Sequence, residues 1–322
     1  MNRLRLTALS GAAVLALGLA ACGDDGGAGG GSSDGGSDIS GTVKIDGSST
    51  VAPLSEAAAE AFQGENGGVR VTVGTSGTGG GFEKFCAGET DISDASRAIE
   101  EDETAACEEA GITYQEFQIA NDGLSVVVNP ENDWAQCLTV DQLKKIWDKG
   151  SKVSNWNQVD PSFPDEELVL NGPGTDSGTF DYFTESINGE EGRSRSDYNA
   201  TEDDNVIVQG VAGEPGGMGY FGLSYLEQNS DQLKGIEIDS GEGCVAPSAE
   251  TVQSGDYTPL SRPLFIYVNA ASLKKPAVEA FVEYYLANTE PLAEQALFVP
   301  LTQEQQDELQ TELDDLKQQA QT

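Results

Sequence analysis

Short apolar runs alternate with amphipathic segments from Ile39 onward, and this alternation is the strongest structural signal in the chain. The runs TVKIDGS and VRVTVGTSG predict strands that end in turns, whereas APLSEAAAEAFQ and EDETAACEEAG predict helices. GGFEKFCAG predicts a short helix and ITYQEFQIA a further strand. Strands separated by helices are typical of parallel sheets, so this part of the chain predicts an α/β fold.

A second block with the same alternation begins at DGLSVVVNPEN, and it contains the predicted helix LTVDQLKKIWDKG and the strand and turn of LVLNGPGTDSGTFDYF. NVIVQGVAGEPGGMGYFGLSYLEQ predicts a glycine-broken strand, turn and helix, and LSRPLFIYVNA predicts a return strand. PAVEAFVEYYLAN and the tail TQEQQDELQTELDDLKQQAQT predict two helices near the end. A chain of 322 residues is long enough for two domains.

The charge of the chain excludes several classes of function. It has 55 acidic and 17 basic residues, a formal net charge of −38, and no histidine. Nucleic acid is a poor partner for such a chain, because phosphate backbones are bound by clustered lysine and arginine. Without histidine, the chain cannot form a Ser–His–acid triad or a histidine-ligated zinc site. The sequence predicts neither a metal site nor a cofactor.

The N-terminal segment predicts export. MNRLRLTALSGAAVLALGLAAC (1–22) has the charged start and apolar stretch of a secretory signal. Its ending, LAAC, resembles the bacterial lipobox and predicts lipidation at Cys22; an ordinary signal beside a chance cysteine is the alternative. Residues 23–38, GDDGGAGGGSSDGGSD, predict a flexible tether. The expected location is extracytoplasmic, with the protein lipid-anchored to the outer face of the bacterial cell membrane.

The other four cysteines are Cys86, Cys107, Cys137 and Cys244. In an exported protein they predict two disulfides, for which three pairings are possible. We favour Cys86–Cys107 and Cys137–Cys244, because each bridge would then lie within one of two domains. None of these cysteines shares a C-x-x-C spacing with another, which argues against a metal site.

Three turns share one design. DGSSTVAPL (46–54), GTSGTGGGF (74–82) and GTDSGTF (174–180) each follow a predicted strand, open a helix and combine glycine with serine or threonine. A helix N-terminus presents unsatisfied N–H groups and partial positive charge, which suits an anion. Capping and turn formation would explain any one of these turns, whereas three of the same type favour an anion site. The chain has no nucleotide-binding loop motif.

Arg97 adds a charge to this set. It lies close to Asp94 and Ser96 in DISDASRAI, in a chain with few arginines. The planar fork of arginine matches a phosphate or a carboxylate. A surface ion pair with a neighbouring acid is the alternative.

GSSTVAPL, GTSGTGGGFEKFCAGETDISDASRAI, LTVDQLKKIWDKGSKVSNWNQV and GTDSGTFDYF occur in this order, and together they resemble the phosphate-binding lipoproteins of bacterial high-affinity phosphate ABC transporters. The resemblance implies a periplasmic-binding-protein-like (type II) fold, with two α/β domains joined by hinge strands. Domain 1 would comprise 39–122 and 262–322, and domain 2, 123–261, would be inserted. It also implies a monomer without enzymatic activity that passes inorganic phosphate to the membrane subunits of an ABC permease.

The family binds phosphate through hydroxyls, backbone N–H groups at helix starts, an arginine and a carboxylate. Its motifs are carried over to the matching positions of this sequence. The expected phosphate-binding residues are Ser49, Thr50, Val51, Ser76, Gly77, Thr78, Gly79, Asp94, Ser96, Arg97, Asp176, Ser177, Gly178 and Thr179.

The chain departs from the best-known branch of that family at two positions. Pro173 stands where that branch has an arginine, and Arg97 stands where it has an aspartate. We therefore expect Arg97 to supply the charge from the opposite side of the cleft. The carboxylate that would accept the proton of hydrogen phosphate is open among Asp94, Asp176 and Asp204. Sulfate or molybdate as ligand, a phosphatase using Ser177 or Thr50, and an adhesion protein on the same fold are the alternatives.

Overall fold

The computed structural model describes residues 39–175 and 177–320. The predicted signal peptide, the lipidation at Cys22, the tether and Asp176 lie outside the described residues. In these two ranges, the helices are too short or too polar to cross a membrane.

The elements follow the alternation read from the sequence. The strands are β1 (Gly41–Gly47), β2 (Val69–Gly74), β3 (Ile92–Ala95), β4 (Tyr114–Val128), β5 (Cys137–Thr139), β6 (Val169–Pro173), β7 (Asn199–Thr201), β8 (Gly217–Gly222), β9 (Lys234–Gly235), β10 (Glu237–Asp239), β11 (Cys244–Val245) and β12 (Ser261–Asn269). The α-helices are α1 (Ala52–Glu65), α2 (Thr78–Cys86), α3 (Glu101–Glu109), α4 (Val140–Trp147), α5 (Trp156–Val159), α6 (Gly178–Phe183), α7 (Asp204–Ala212), α8 (Leu223–Gln228), α9 (Ala249–Gln253), α10 (Pro276–Ala287), α11 (Thr289–Gln295) and α12 (Gln303–Ala320). A π-helical turn (Thr184–Asn188) follows α6, and a 3-10 turn (Ala270–Lys274) follows β12.

The main sheet has the strand order β2-β1-β3-β12-β4-β8-β6-β7, with β9 paired to β4. β1 is parallel to β2 and β3, and β6 is parallel to β7 and β8, as the strand–helix alternation predicts. In the centre, β12 is antiparallel to β3 and β4, and β4 is antiparallel to β8. The prediction of a parallel sheet is therefore wrong for the centre, because β4 and β12 run in opposite directions.

YQEFQIA of the predicted strand and the following NDGLSVVV form one strand of 15 residues, β4. Its first part, through Gly123, pairs with β12, and its last part, from Leu124, pairs with β8. The intervening polar residues stay extended because Asn121 and Asp122 are in register with Pro263 and Arg262 of β12.

The segment NVIVQG forms helix α7, so the strand predicted there is wrong. The side chain of Asp203 accepts a hydrogen bond from the N–H of Asn205 and caps the helix. Ile207, Val208 and Val211 form its buried face. The β-branched composition favoured a strand, but the cap and the helical spacing of these apolar residues match the helix.

Apolar side chains form two large cores. One is built from residues 124–260 with Val299, and we call the part of the chain around it lobe 2. The other is built from residues 43–120 and 264–320, and we call its surroundings lobe 1. The proposed domain boundaries, at 122/123 and 261/262, fall between residues of these two cores. β4 and β12 are the strands that pass from one lobe to the other.

The described cysteines form two disulfides. Cys86 is bonded to Cys107 and joins α2 to α3, while Cys137 is bonded to Cys244 and joins β5 to β11. This is the predicted pairing, and each bridge lies within one lobe.

Candidate anion-binding site

The three glycine- and hydroxyl-rich turns lie around one cavity of about 360 Å³. The first turn connects β1 to α1, the second connects β2 to α2, and the third precedes α6. The residues of the predicted set that line the cavity are Ser49, Thr50, Ser76, Gly77, Thr78, Gly79, Ser96, Arg97 and Gly178. The cavity thus brings together residues from all three motifs, with Gly178 as the contribution of the third.

Helices α1 and α2 begin at this cavity, and no side chain caps either of them. The N-cap residue of α2, Gly77, has a φ of 81°, a left-handed conformation that glycine adopts without strain. The first N–H groups of a helix have no partner within it, and the helix dipole places partial positive charge there. At α1 the N–H groups of Ala52, Leu54 and Ser55 donate to backbone carbonyls of the first turn, and Pro53 has no N–H. The start of α2, rather than that of α1, therefore suits an anionic ligand.

Backbone hydrogen bonds hold the first two turns against the sheet. The N–H of Ser48 donates to the carbonyl of Asp94 at 2.9 Å, and the N–H of Gly77 donates to the carbonyl of Gly47 at 2.9 Å. The carboxylate of Asp46 accepts from the N–H of Ser76 at 3.1 Å. The donors that line the cavity are therefore placed by the ends of β1 and β3.

The third turn comes from lobe 2 and faces the first. A Cβ atom built on Gly178 would lie 3.4 Å from Thr50 Oγ1, so the start of α6 approaches the first turn closely. Ser177 caps α6 by accepting a hydrogen bond from the N–H of Thr179. Ser177 and Thr179 are not among the lining residues, and Val51 is buried as the N-cap of α1.

Arg97 lines the cavity, but its guanidinium is bound to acids of its own lobe. Nη1 and Nη2 each donate to a carboxylate oxygen of Glu103 at 2.8 Å, and Nε lies 3.3 Å from Glu100 Oε1. Nη1 also donates to the carbonyl of Ala98. All three guanidinium nitrogens therefore have acidic or carbonyl partners. This is the ion pair with neighbouring acids that the sequence offered as the alternative role of Arg97.

Arg262 also lines the cavity, although the sequence marked it only as a hinge crossing. Its Nη2 donates to Thr50 Oγ1 at 3.0 Å, and its Nε donates to Asp122 Oδ2 at 3.2 Å. The guanidinium stacks over the ring of Tyr182 with its Cζ 3.6 Å from the ring centroid. The other lining residues outside the predicted set are Ser48, Gly80, Asp181, Tyr182, Glu185 and Glu191.

Two of the three acids proposed to accept the phosphate proton, Asp94 and Asp204, lie outside the cavity lining. The carboxyl of Asp94 is fully buried behind the first turn, where Oδ1 accepts from Ser55 Oγ at 2.8 Å, and it does not line the cavity. Burial raises the pKa of Asp94 to about 8. Burial likewise raises the pKa of Asp204, at the start of α7, to about 6, and Asp204 is also absent from the cavity lining.

Three described acids do line the cavity: Asp181, Glu185 and Glu191. Burial raises the pKa of Asp181, with repulsion from Glu191 adding to the shift and Arg262 opposing it. Asp181 lies in the first turn of α6, one residue before Tyr182.

No metal centre accompanies this cavity among the described residues. The group of potential metal ligands that the described residues do contain lies away from the cavity and consists of Cys137, Glu237 and Cys244. Its two sulfurs are bonded to each other in a disulfide.

Residues 32–289 match the family model of the PBP superfamily domain. The chain belongs to this superfamily. It is 49% identical to protein SphX of Synechocystis sp. over 271 residues, which is 83% of this chain and 81% of that protein. It is 43% identical to the phosphate-binding protein PstS of Staphylococcus saprophyticus over 301 residues, 92% of this chain and 90% of that protein.

Solved structures agree with the superfamily assignment. A possible phosphate binding protein from Planctomyces limnophilus is 49% identical and superposes with a TM-score of 0.84, covering 87% of this chain and 99% of that one. The PBP-like fold and the resemblance to bacterial phosphate-binding proteins are thereby confirmed.

Proposed function

We propose that the protein is an extracytoplasmic solute-binding lipoprotein that captures inorganic phosphate between its two lobes and delivers it to an ABC permease. The observation that carries the proposal is the cavity, where the uncapped N-terminus of α2, several hydroxyls and two arginines meet. Relatives named phosphate-binding proteins, such as the staphylococcal one, support it. The lipid anchor at Cys22 and a monomeric state belong to the same proposal.

The cavity favours binding over catalysis. Its described lining has hydroxyls that could act as nucleophiles, but it offers neither a histidine nor a lysine to activate them. Holding an anion needs only donors in fixed positions, which helix N-termini and hydroxyls provide.

Titration calorimetry on the full mature chain without lipid tests the proposal. We expect heat of binding for phosphate at neutral pH and much weaker binding of sulfate and molybdate. Absence of binding to phosphate in several buffers would reject the function. Tighter binding of sulfate or molybdate than of phosphate would assign the site to that oxyanion instead.

Asp181 is our choice for the group that separates phosphate from sulfate. Hydrogen phosphate carries a proton that a carboxylate can accept, whereas sulfate would meet only repulsion there. Asp181 lines the cavity from the first turn of α6, and burial raises its pKa, which makes its carboxylate a stronger hydrogen-bond acceptor.

The variant Asp181→Asn tests this choice. We expect the ratio of phosphate to sulfate affinity to fall roughly 10- to 100-fold, the equivalent of one charged hydrogen bond. Asp141→Asn is the matched control, since Asp141 also lies in the first turn of a helix but away from the cavity. An unchanged ratio in Asp181→Asn would exclude Asp181 from this role.

A further inference from the structure

The two arginines of the cavity differ in how free their guanidinium groups are to bind an anion. Arg97 and Arg262 both line the cavity, from different parts of the fold. Arg97 follows β3 in lobe 1, whereas Arg262 lies on β12, one of the strands between the lobes. The hydrogen-bond partners of the two guanidinium groups distinguish them.

Arg97 has little capacity left for a ligand. Its fork makes two parallel hydrogen bonds to Glu103, the geometry in which a carboxylate already occupies the place of an oxyanion. Glu100 lies beside Nε, and the side chain of Arg97 is 38% exposed to solvent. An incoming anion would have to displace a carboxylate, and it would gain only a screened, half-exposed contact.

Arg262, in contrast to Arg97, is shielded from solvent and keeps one guanidinium nitrogen available for a ligand. Its side chain is only 14% exposed, and its partners in the described part of the chain occupy Nε and Nη2 but not Nη1. Asp122 and the ring of Tyr182 fix the plane of the guanidinium. A charged donor held in advance, and shielded from water, binds an anion strongly because little entropy is lost and screening is weak.

The contact between Arg262 and Thr50 also favours Arg262 as the arginine that binds the anion. Arg262 Nη2 donates to Thr50 Oγ1, so this hydroxyl oxygen already accepts one bond and its own hydrogen remains free to donate. Thr50 lies in the turn before α1, and Gly178 of α6 approaches the same hydroxyl. Arg262 therefore lies where the turns of both lobes meet.

We propose that Arg262 is the arginine that binds the anion in this chain, with Nη1 donating to an anion oxygen beside the hydroxyl of Thr50. The inference rests on the proposed function and names the charged ligand of that site. It moves the role expected of Arg97 to a residue on the strand between the lobes. Arg97, in this arrangement, holds α3 against the second turn through Glu103.

Calorimetric titration with inorganic phosphate tests the assignment on four variants. In Arg262→Met we expect a loss of affinity of roughly 100-fold, and in Arg262→Lys a loss of about 10-fold, because lysine keeps the charge but lacks the fork. In Arg97→Met we expect a loss below about 5-fold. Arg193→Met is the control, since Arg193 forms a similar pair with Asp148 outside the cavity.

The outcomes separate this inference from the proposed function. If the unmodified chain does not bind phosphate, the function fails. If it binds, and Arg97→Met loses far more affinity than Arg262→Met, the function stands and the assignment to Arg262 is wrong.

A crystal structure with phosphate gives a readout that a purely structural role of Arg262 would not produce. We expect Nη1 of Arg262 within about 2.7–3.2 Å of a phosphate oxygen. Phosphate bound to the fork of Arg97, with Glu103 displaced, would overturn the proposal. This measurement also covers the case in which Arg262→Met unfolds, because it needs no variant.

Discussion

Two aspartates behind the cavity, Asp94 and Asp122, are both buried, and their surroundings differ. Asp122 faces Arg262 at 3.2 Å, so a positive charge opposes the rise that burial causes in its pKa. Asp94 has no such partner: Ser55 donates to Oδ1, and Oδ2 is without a hydrogen bond in the described chain. Burial without a counter-charge disfavours the carboxylate and keeps Asp94 protonated at neutral pH.

Asp94 should therefore make stability depend on pH. Its pKa is about 8 in the folded protein and about 3.9 in an unfolded chain, so its stabilising contribution is complete below about pH 4 and is lost as pH rises toward 8. We expect Asp94→Asn to remove this loss, which amounts to roughly 1.4 kcal/mol per pH unit in the free energy of unfolding.

Urea unfolding of Asp94→Asn at pH 5, 7 and 9 provides the measurement. The free energy of unfolding of Asp94→Asn, relative to that of the unmodified chain, should increase with pH up to about pH 8 and then stay constant. The exposed Asp141→Asn controls for the lost charge and should show no such growth. A difference for Asp94→Asn that stays constant with pH would contradict the assignment of a raised pKa.

At the scale of elements, helix α2 packs directly on the end of β1. A Cβ atom built on Gly81 of α2 would lie 2.5 Å from the Cα of Gly47 and 2.9 Å from Ser93 Oγ. The backbone of β1 cannot move out of the way, because Gly47 is also close to Asp94 of β3. Glycine at 81 thus lets the N-terminus of α2 reach the cavity.

We expect Gly81→Ala to lower the free energy of unfolding by about 1–3 kcal/mol and to weaken phosphate binding, since α2 must shift away from β1. Gly64→Ala is the matched control, because Gly64 lies near the end of α1 with open space around its Cα. Removing a helical glycine there should stabilise the chain by roughly 0.5–1 kcal/mol and leave binding unchanged. Equal effects of the two substitutions would argue against the close contact.

At the scale of the whole molecule, the proposed anion site belongs to a chain with a net charge of −38. The Debye length is about 10 Å at 0.1 M salt, so surface acids act on the approaching anion mainly at low salt. Inside the cavity, the N-terminus of α2 and Arg262, the proposed charged ligand, would act on the anion at contact distance, where screening is weak.

Phosphate should therefore associate faster as sodium chloride is added, because the salt screens the long-range repulsion. The change should appear in the association rate and much less in the dissociation rate. Stopped-flow measurement of binding between about 0.02 and 0.5 M salt checks this. An association rate that falls steadily over the same range would mean that the field at the cavity mouth is positive.

The sequence by itself determined the α/β class, the elements around the three turns and the donor-rich character of those turns, which suits an anion. Each of these depends on local patterns: alternating apolar residues, helix starts after glycine and hydroxyls, and the absence of histidine. Both disulfides also followed from keeping each pair within one domain. The local pattern gave a wrong prediction at NVIVQG: its β-branched residues indicated a strand, but the segment forms a helix that Asp203 caps.

Only the tertiary structure decided which charged groups reach the cavity. Arg262 and Thr50 are 212 positions apart, and nothing near either residue encodes their contact, since it depends on β12 returning beside β4. The surroundings of Asp94 likewise depend on distant segments, because Ser55 of α1 lies between Asp94 of β3 and Tyr285 of α10. A local sequence pattern specifies the conformation of a segment, whereas the partners of a charge depend on which distant segments fold against it.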